Sequence, residues 1–111
     1  MHCLFCKIAS REIPSKTVFE DERLYAFEDI APKAPTHVLV IPKKHIARLS
    51  DAGPEDAALI GEVALRAASI AREKGLAHFR LIANNGEDAG QSVFHLHFHL
   101  LGGRSFTWPP G

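Results

Sequence analysis

The chain carries no surplus of charge. Its 13 lysines and arginines balance 13 aspartates and glutamates, so bulk electrostatics draw it neither to nucleic acid nor to an anionic membrane, and any phosphate it binds must be gripped locally. No apolar run approaches the roughly 20 residues of a membrane-spanning helix, which excludes one. Residues Met1 to Ser10 lack the basic start and apolar stretch of a signal peptide, so a cytoplasmic protein is expected. Cysteine is scarce. Cys3 and Cys6 form a Cys-x-x-Cys pair, which fits a metal or redox site better than a secreted disulfide framework. Repeats, low-complexity tracts and linkers are absent too, and 111 residues at 46% hydrophobic suffice for one domain, 1–111, with an adequate core.

What the chain does have is histidine, seven in all. His95, Leu96, His97, Phe98, His99 and Leu100 alternate imidazole with apolar side chain, the period of a strand with two unlike faces. Three imidazoles then follow one another at steps of roughly 6.6 Å while Leu96, Phe98 and Leu100 turn toward a core. A strand face that merely happens to carry histidine is the plain alternative. Both protonation states of imidazole are accessible near pH 7, however, so such a row can supply a nucleophile, a proton donor and an orienting partner together. The row reads as an active site.

Local patterns frame it. Residues 4 to 10 suggest a short helix carrying Leu4, Phe5 and Ile8, stopped before Pro14. Thr17 to Glu20 and Leu24 to Asp29 flank a charged turn and should pair as a hairpin. His37 to Ile41 is a short apolar run bracketed by prolines, suited to a buried strand. From Pro54 to Lys74, Leu59, Ile60, Val63, Ala67 and Ile70 recur at helical spacing, with Pro54 in the first turn and Gly75 just past the end. Alanines on the other flanks either admit a second helix or simply reflect helix propensity. Phe79 to Ala83 reads as another strand, and Asn84-Asn85-Gly86 opens a turn. The expected fold is α+β, with a five-stranded antiparallel sheet, one long helix and one short one.

The segment from Asn84 to Ser92 is rich in glycine and short polar side chains, which expose backbone N–H groups and neutral donors suited to an anion. Alone it would be an ordinary Asn-Gly turn; next to three histidines it is a phosphate loop. The two thiols supply half a tetrahedral zinc site, to be completed by histidines, or else they are reduced, half-buried thiols.

The run Gly90-Gln91-Ser92-Val93-Phe94-His95-Leu96-His97-Phe98-His99-Leu100-Leu101 resembles the His-x-His-x-His-apolar-apolar signature of the histidine triad proteins. The likeness extends through Phe5-Cys6-Lys7-Ile8, Asp29-Ile30, Ala34-Pro35-Thr36-His37, Ile41-Pro42-Lys43-Lys44-His45 and Gly102-Gly103-Arg104 to Trp108-Pro109-Pro110-Gly111, an ending similar to that of the histidine triad nucleotide-binding (Hint) branch. The resemblance implies a purine nucleoside phosphoramidase in which His97 attacks the α-phosphorus, through a nucleotidyl-histidine intermediate. It also implies that Ser92 and His99 contact the phosphate and leaving group and that His37 completes the hydrogen-bonded set. Asp29 matches the carboxylate on the ribose hydroxyls, and Asn84, Gly90 and Gln91 match the phosphate loop. Ile30, Leu4, Phe5 and Ile8 would form the base pocket, core packing being the other explanation for these four. Relatives with the early thiol pair hold zinc with residues matching His45 and His95, so Cys3, Cys6, His45 and His95 are the expected structural zinc ligands, with no cofactor needed for catalysis. A homodimer is implied, with the long helix and a strand edge at the interface and Phe106 to Gly111 approaching the partner's site. Hydrolysis of dinucleoside polyphosphates or adenylylated intermediates is the alternative activity. A nucleotide-binding module with incidental hydrolysis is the alternative class, against which His97 and Ser92 together argue.

Overall fold

The structure is a computed structural model that describes residues 3–111. In chain order it comprises α1 (Leu4–Ala9), β1 (Thr17–Glu20), β2 (Leu24–Glu28), β3 (Thr36–Pro42), α2 (Ala57–Glu73), β4 (Phe79–Ile82) and β5 (Phe98–Gly102), with single 3₁₀ turns at Leu49–Asp51, Pro54–Asp56 and Glu87–Ala89. The strands form one antiparallel sheet in the order β1-β2-β3-β5-β4. This is the α+β architecture that the apolar periodicity leads one to expect.

Both faces of the central strands are covered, which explains why β2 and β3 read as nearly continuous apolar runs. Leu24, Ala26, Val38, Val40 and Leu100 face α2, whose Leu59, Val63, Ala67, Ile70 and Ala71 form the matching buried stripe. Tyr25, Phe27, Leu39 and Ile41 face the other way, onto Phe5 and Ile8 of α1. The short helix is therefore held by tertiary burial; six residues are too few to be stable alone. Pro54 opens a 3₁₀ turn ahead of α2 rather than its first α-helical turn, and Gly75 follows the helix with φ at 74°. At the start of α2 the buried Asp56 accepts hydrogen bonds from Gly53 N–H at 3.0 Å and Lys44 Nζ at 2.5 Å, tying the segment after β3, and with it His45, to the helix.

Two expectations need correction. The histidine run is a strand only from Phe98 onward; His95 and His97 precede the ladder. The pairing of β3 with β5 ends at Val40 and Phe98, and farther along β3 the ring of Pro42 offers no N–H, while its carbonyl accepts from the His95 side chain. The alternation survives without the ladder, because Leu96 and Leu100 are buried in the α2-side core and Leu96 N–H donates to Ile46 C=O. The core explanation also fails for two of the four apolar candidates: Ile30 is wholly exposed and Leu4 is 44% exposed, whereas Phe5 and Ile8 are buried.

Candidate active site

His37 and His99 sit diagonally on the paired strands β3 and β5, since His37 opposes Leu101 and Leu39 opposes His99. The diagonal brings His37 Nε2 to 2.9 Å from His99 Nδ1. Their protons can be placed from their partners. The backbone N–H of Lys33 donates to His37 Nδ1 at 3.0 Å, so neutral His37 carries its proton on Nε2 and donates it to His99 Nδ1. Neutral His99 then holds its proton on Nε2, a buried atom with no hydrogen-bond partner. A one-way chain of donors ends at that N–H. Asp29 Oδ2 lies 3.4 Å from His37 Nε2 and favours the same arrangement, while its Oδ1 accepts from Ala31 N–H.

The neighbouring ring is oriented just as firmly. His97 Nδ1–H donates to the carbonyl of His95 at 2.7 Å, which leaves the lone pair on Nε2. Phe5 packs edge-on against His97 at 4.9 Å between centroids, and His99 lies 4.9 Å away on the other side. Burial lowers the affinity of His37, His97 and His99 for a proton. His99 is pushed down to about 4, first by desolvation and then by the like charges His97 and His37 would carry. At neutral pH the site holds a nucleophilic imidazole nitrogen beside an imidazole N–H donor.

A cavity of about 890 Å³ opens on this relay, lined by Asp29, His37, Asn84, Gly90, Ser92 and His99 among others. Its size suits a nucleotide-sized ligand. His97 lies beside the cavity rather than on its wall, with Phe5 packed on it; Leu4, Phe5, Ile8 and Ile30 are likewise not among the lining residues, although Asp29 and Ala31, on either side of Ile30, are. In the polar loop, Gly86 and Gly90 adopt φ of 90° and 100°, and exposed Ser92 and half-buried Asn84 face the cavity. Gln91 is buried and serves the loop itself: its Oε1 accepts from Gly86 N–H, and its Nε2 donates to Ala47 C=O and Val93 C=O. Both of its amide protons are committed within the protein. Trp108, Pro110 and Gly111 wall the cavity of their own chain.

Three contributors were missed in the sequence. Lys33 acts through its backbone N–H and Pro42 through its carbonyl, and neither leaves a side-chain signature. Arg80 did leave one, as the lone charge in the strand Phe79-Arg80-Leu81-Ile82; it lines the cavity and stacks 5.3 Å from Phe106 and 6.0 Å from Trp108.

A second cluster lies behind the first. His95 gives its Nε2 proton to Pro42 C=O at 2.7 Å, and its Nδ1 lone pair faces Cys3 Sγ at 3.3 Å, Cys6 Sγ at 3.5 Å and His45 Nδ1 at 3.2 Å. Tetrahedral zinc with two thiolates and two imidazoles sets donor atoms roughly 3.3–3.8 Å apart, so this donor set and its spacing fit that ion. Burial, followed by the Cys3 contact, pushes the Cys6 thiol up to about 11. The trio Asp29, His37 and His99 is also compact, but its imidazole atoms are already engaged, His37 Nδ1 by Lys33 N–H and His37 Nε2 by His99 Nδ1. That trio is a hydrogen-bonded relay.

Residues 10–106 match the HIT domain model. The chain is 54% identical over 109 residues, 97% of its length and 96% of the relative's, to an uncharacterized HIT-like protein of Synechocystis. A crystal structure described as a HIT family hydrolase from Legionella pneumophila superposes with a TM-score of 0.97 at 52% identity, covering 99% of this chain and 100% of that one. A zinc-bound histidine triad family protein from Mycobacterium smegmatis superposes with a TM-score of 0.81 at 36% identity, over 100% of this chain and 81% of that one.

Proposed function

Because the chain belongs to the HIT domain family, we propose that it is a nucleotide-binding hydrolase of the Hint type that cleaves purine nucleoside phosphoramidates in the cytoplasm. The observation that carries the reading is the pairing of a bare His97 Nε2 with an unpartnered His99 Nε2–H. Attack by His97 Nε2 forms a nitrogen–phosphorus bond while the bond to the amine breaks. The amine departs with the His99 Nε2 proton as His37 passes its own proton to His99 Nδ1. The negative charge left on the relay faces the positive nucleotidyl-imidazolium one ring away. Water then attacks the phosphorus and returns the proton to the relay, releasing the nucleoside monophosphate and closing the cycle. Asp29 would hold the ribose hydroxyls, Ser92, Asn84 and Gly90 the phosphate, and Phe5 and Ile8 the apolar side of the base. A homodimer is part of this proposal, supported by Leu65, 72% exposed on α2, and by the open edge of β4. Turnover of adenosine 5′-monophosphoramidate compared with a diadenosine polyphosphate tests the substrate class; faster cleavage of the diadenosine compound would reverse it.

The pH profile follows from the buried rings. Attack needs a neutral imidazole, and burial disfavours the imidazolium, so the active form persists below the ordinary histidine value of 6.5. The rate constant kcat/KM should stay level through pH 6.5 and fall only in more acid solution, one limb serving the coupled set. An acid midpoint at or above 6.5 in protein that circular dichroism shows to be folded contradicts this.

Cys3, Cys6, His45 and His95 would hold a structural zinc ion with no coordination position left for water. When bound, the ion cross-links α1 to the segment beyond β3 and to the histidine run. Since α1 carries Phe5, its fixation also seats the ring packed on His97. Protein purified without chelator should contain about one zinc per chain. Chelation should lower Tm by on the order of 10 °C. Zinc content unchanged by the double substitution Cys3→Ser, Cys6→Ser excludes the site.

A further inference from the structure

We propose that Arg104 is a positioning residue that fixes the direction of the His37–His99 relay through Lys33, an inference that rests on the phosphoramidase reading. Arg104 Nε–H donates to the carbonyl of Lys33 at 3.0 Å, and the N–H of the same Lys33 donates to His37 Nδ1 at 3.0 Å. The guanidinium is itself steadied, with Nη1 donating to Ser105 C=O at 3.0 Å and the Phe106 ring lying 4.3 Å from its centre. The backbone is shaped for this contact. Gly103 has φ at 90°, and a Cβ there would come within 2.9 Å of Pro35 Cβ, so only glycine lets the end of β5 approach the loop that carries Lys33.

The consequence lies in the tautomers. With Lys33 N–H in place, protons run from His37 Nε2 to His99 Nδ1, and His99 presents N–H to the leaving group. If Lys33 drifts, His37 can hold its proton on Nδ1 and accept on Nε2 from His99 Nδ1–H. His99 Nε2 then presents a lone pair to the substrate, and the departing amine has no proton to take. Asp29 Oδ2 resists this reversal from 3.4 Å, beyond good hydrogen-bond range, whereas Lys33 N–H acts from 3.0 Å. Arg104 anchors the nearer of the two controls. It touches neither substrate nor reacting atoms and acts only on which nitrogen of His99 carries hydrogen.

The test compares two substrates and reads the tautomer directly. An alkylamine phosphoramidate of adenosine needs a proton on its leaving group; the p-nitrophenyl ester of adenosine monophosphate does not. Arg104→Met, which keeps the side chain's reach to the position of Nε but offers no donor to Lys33 C=O, should lower kcat on the alkylamine substrate by on the order of 10-fold, with KM and the p-nitrophenyl ester changed by less than about 2-fold. Arg104→Lys, which can still donate to Lys33 C=O, should recover part of the loss. The ¹⁵N shifts of His37 should show the Nε2–H form in the unsubstituted protein and a substantial Nδ1–H fraction in Arg104→Met. Equal losses on both substrates, or His37 shifts unmoved by the substitution, overturn the inference. Should the unsubstituted protein cleave neither substrate, the phosphoramidase reading fails, and the ¹⁵N spectra still decide whether Arg104 sets the tautomer.

Discussion

The substitution His97→Asn should slow hydrolysis of an adenosine phosphoramidate by about 10⁴-fold or more, while adenosine monophosphate still binds. The magnitude follows from removing the nitrogen proposed to form the covalent intermediate; what remains is positioning of substrate by the loop and the relay. Asparagine is chosen because its side-chain N–H can still donate to the His95 carbonyl, which now accepts from His97 Nδ1 at 2.7 Å, so that buried acceptor is not orphaned. The cost to folding should be the smaller term, about 1–2 kcal/mol for trimming a well-packed ring. Near-native turnover in folded His97→Asn protein removes His97 from the chemistry.

His99→Ala should produce a different pattern. Its loss deprives the leaving amine of the Nε2 proton, so turnover of an alkylamine phosphoramidate should fall by roughly 10²- to 10³-fold. A p-nitrophenyl ester leaves without protonation and should lose less than about 10-fold. Removing the His99 ring, which lines the cavity, opens the His37 Nε2–H that now donates to it to water, so the variant does not strand a buried donor. Parallel steady-state measurements on the two substrates read the effect. Equal losses on both would assign His99 to phosphate binding alone.

These two residues also show what was legible in the chain. The alternation of histidine with Leu96, Phe98 and Leu100 placed the imidazoles together because side-chain direction alternates even where the ladder stops; the strand itself begins only at Phe98. Helix α2, with its five buried residues at helical spacing, and the hairpin of β1 and β2 follow from local periodicity alone. Apolar character does not put Ile30 in the core: it follows the carboxylate Asp29 and is fully exposed, since hydrophobicity does not specify where a loop residue points. The parts that set protonation were the least legible. Lys33 N–H, the Pro42 carbonyl and the His95 carbonyl determine which nitrogen of each ring carries hydrogen, and every residue type has a backbone that could do so. Gln91 illustrates the reverse: a polar side chain in a phosphate-like loop whose amide is occupied in holding the loop's own shape.

Turnover should pass through covalently nucleotidylated His97. A single-turnover reaction of excess protein with an adenosine phosphoramidate, quenched under alkaline conditions that preserve phosphoryl-histidine bonds and mapped by mass spectrometry, tests it most directly. Transient adenylylation of His97 should form as the amine is released and decay as adenosine monophosphate appears. Hydrolysis at the same rate with no adduct, or an adduct on another residue, contradicts it.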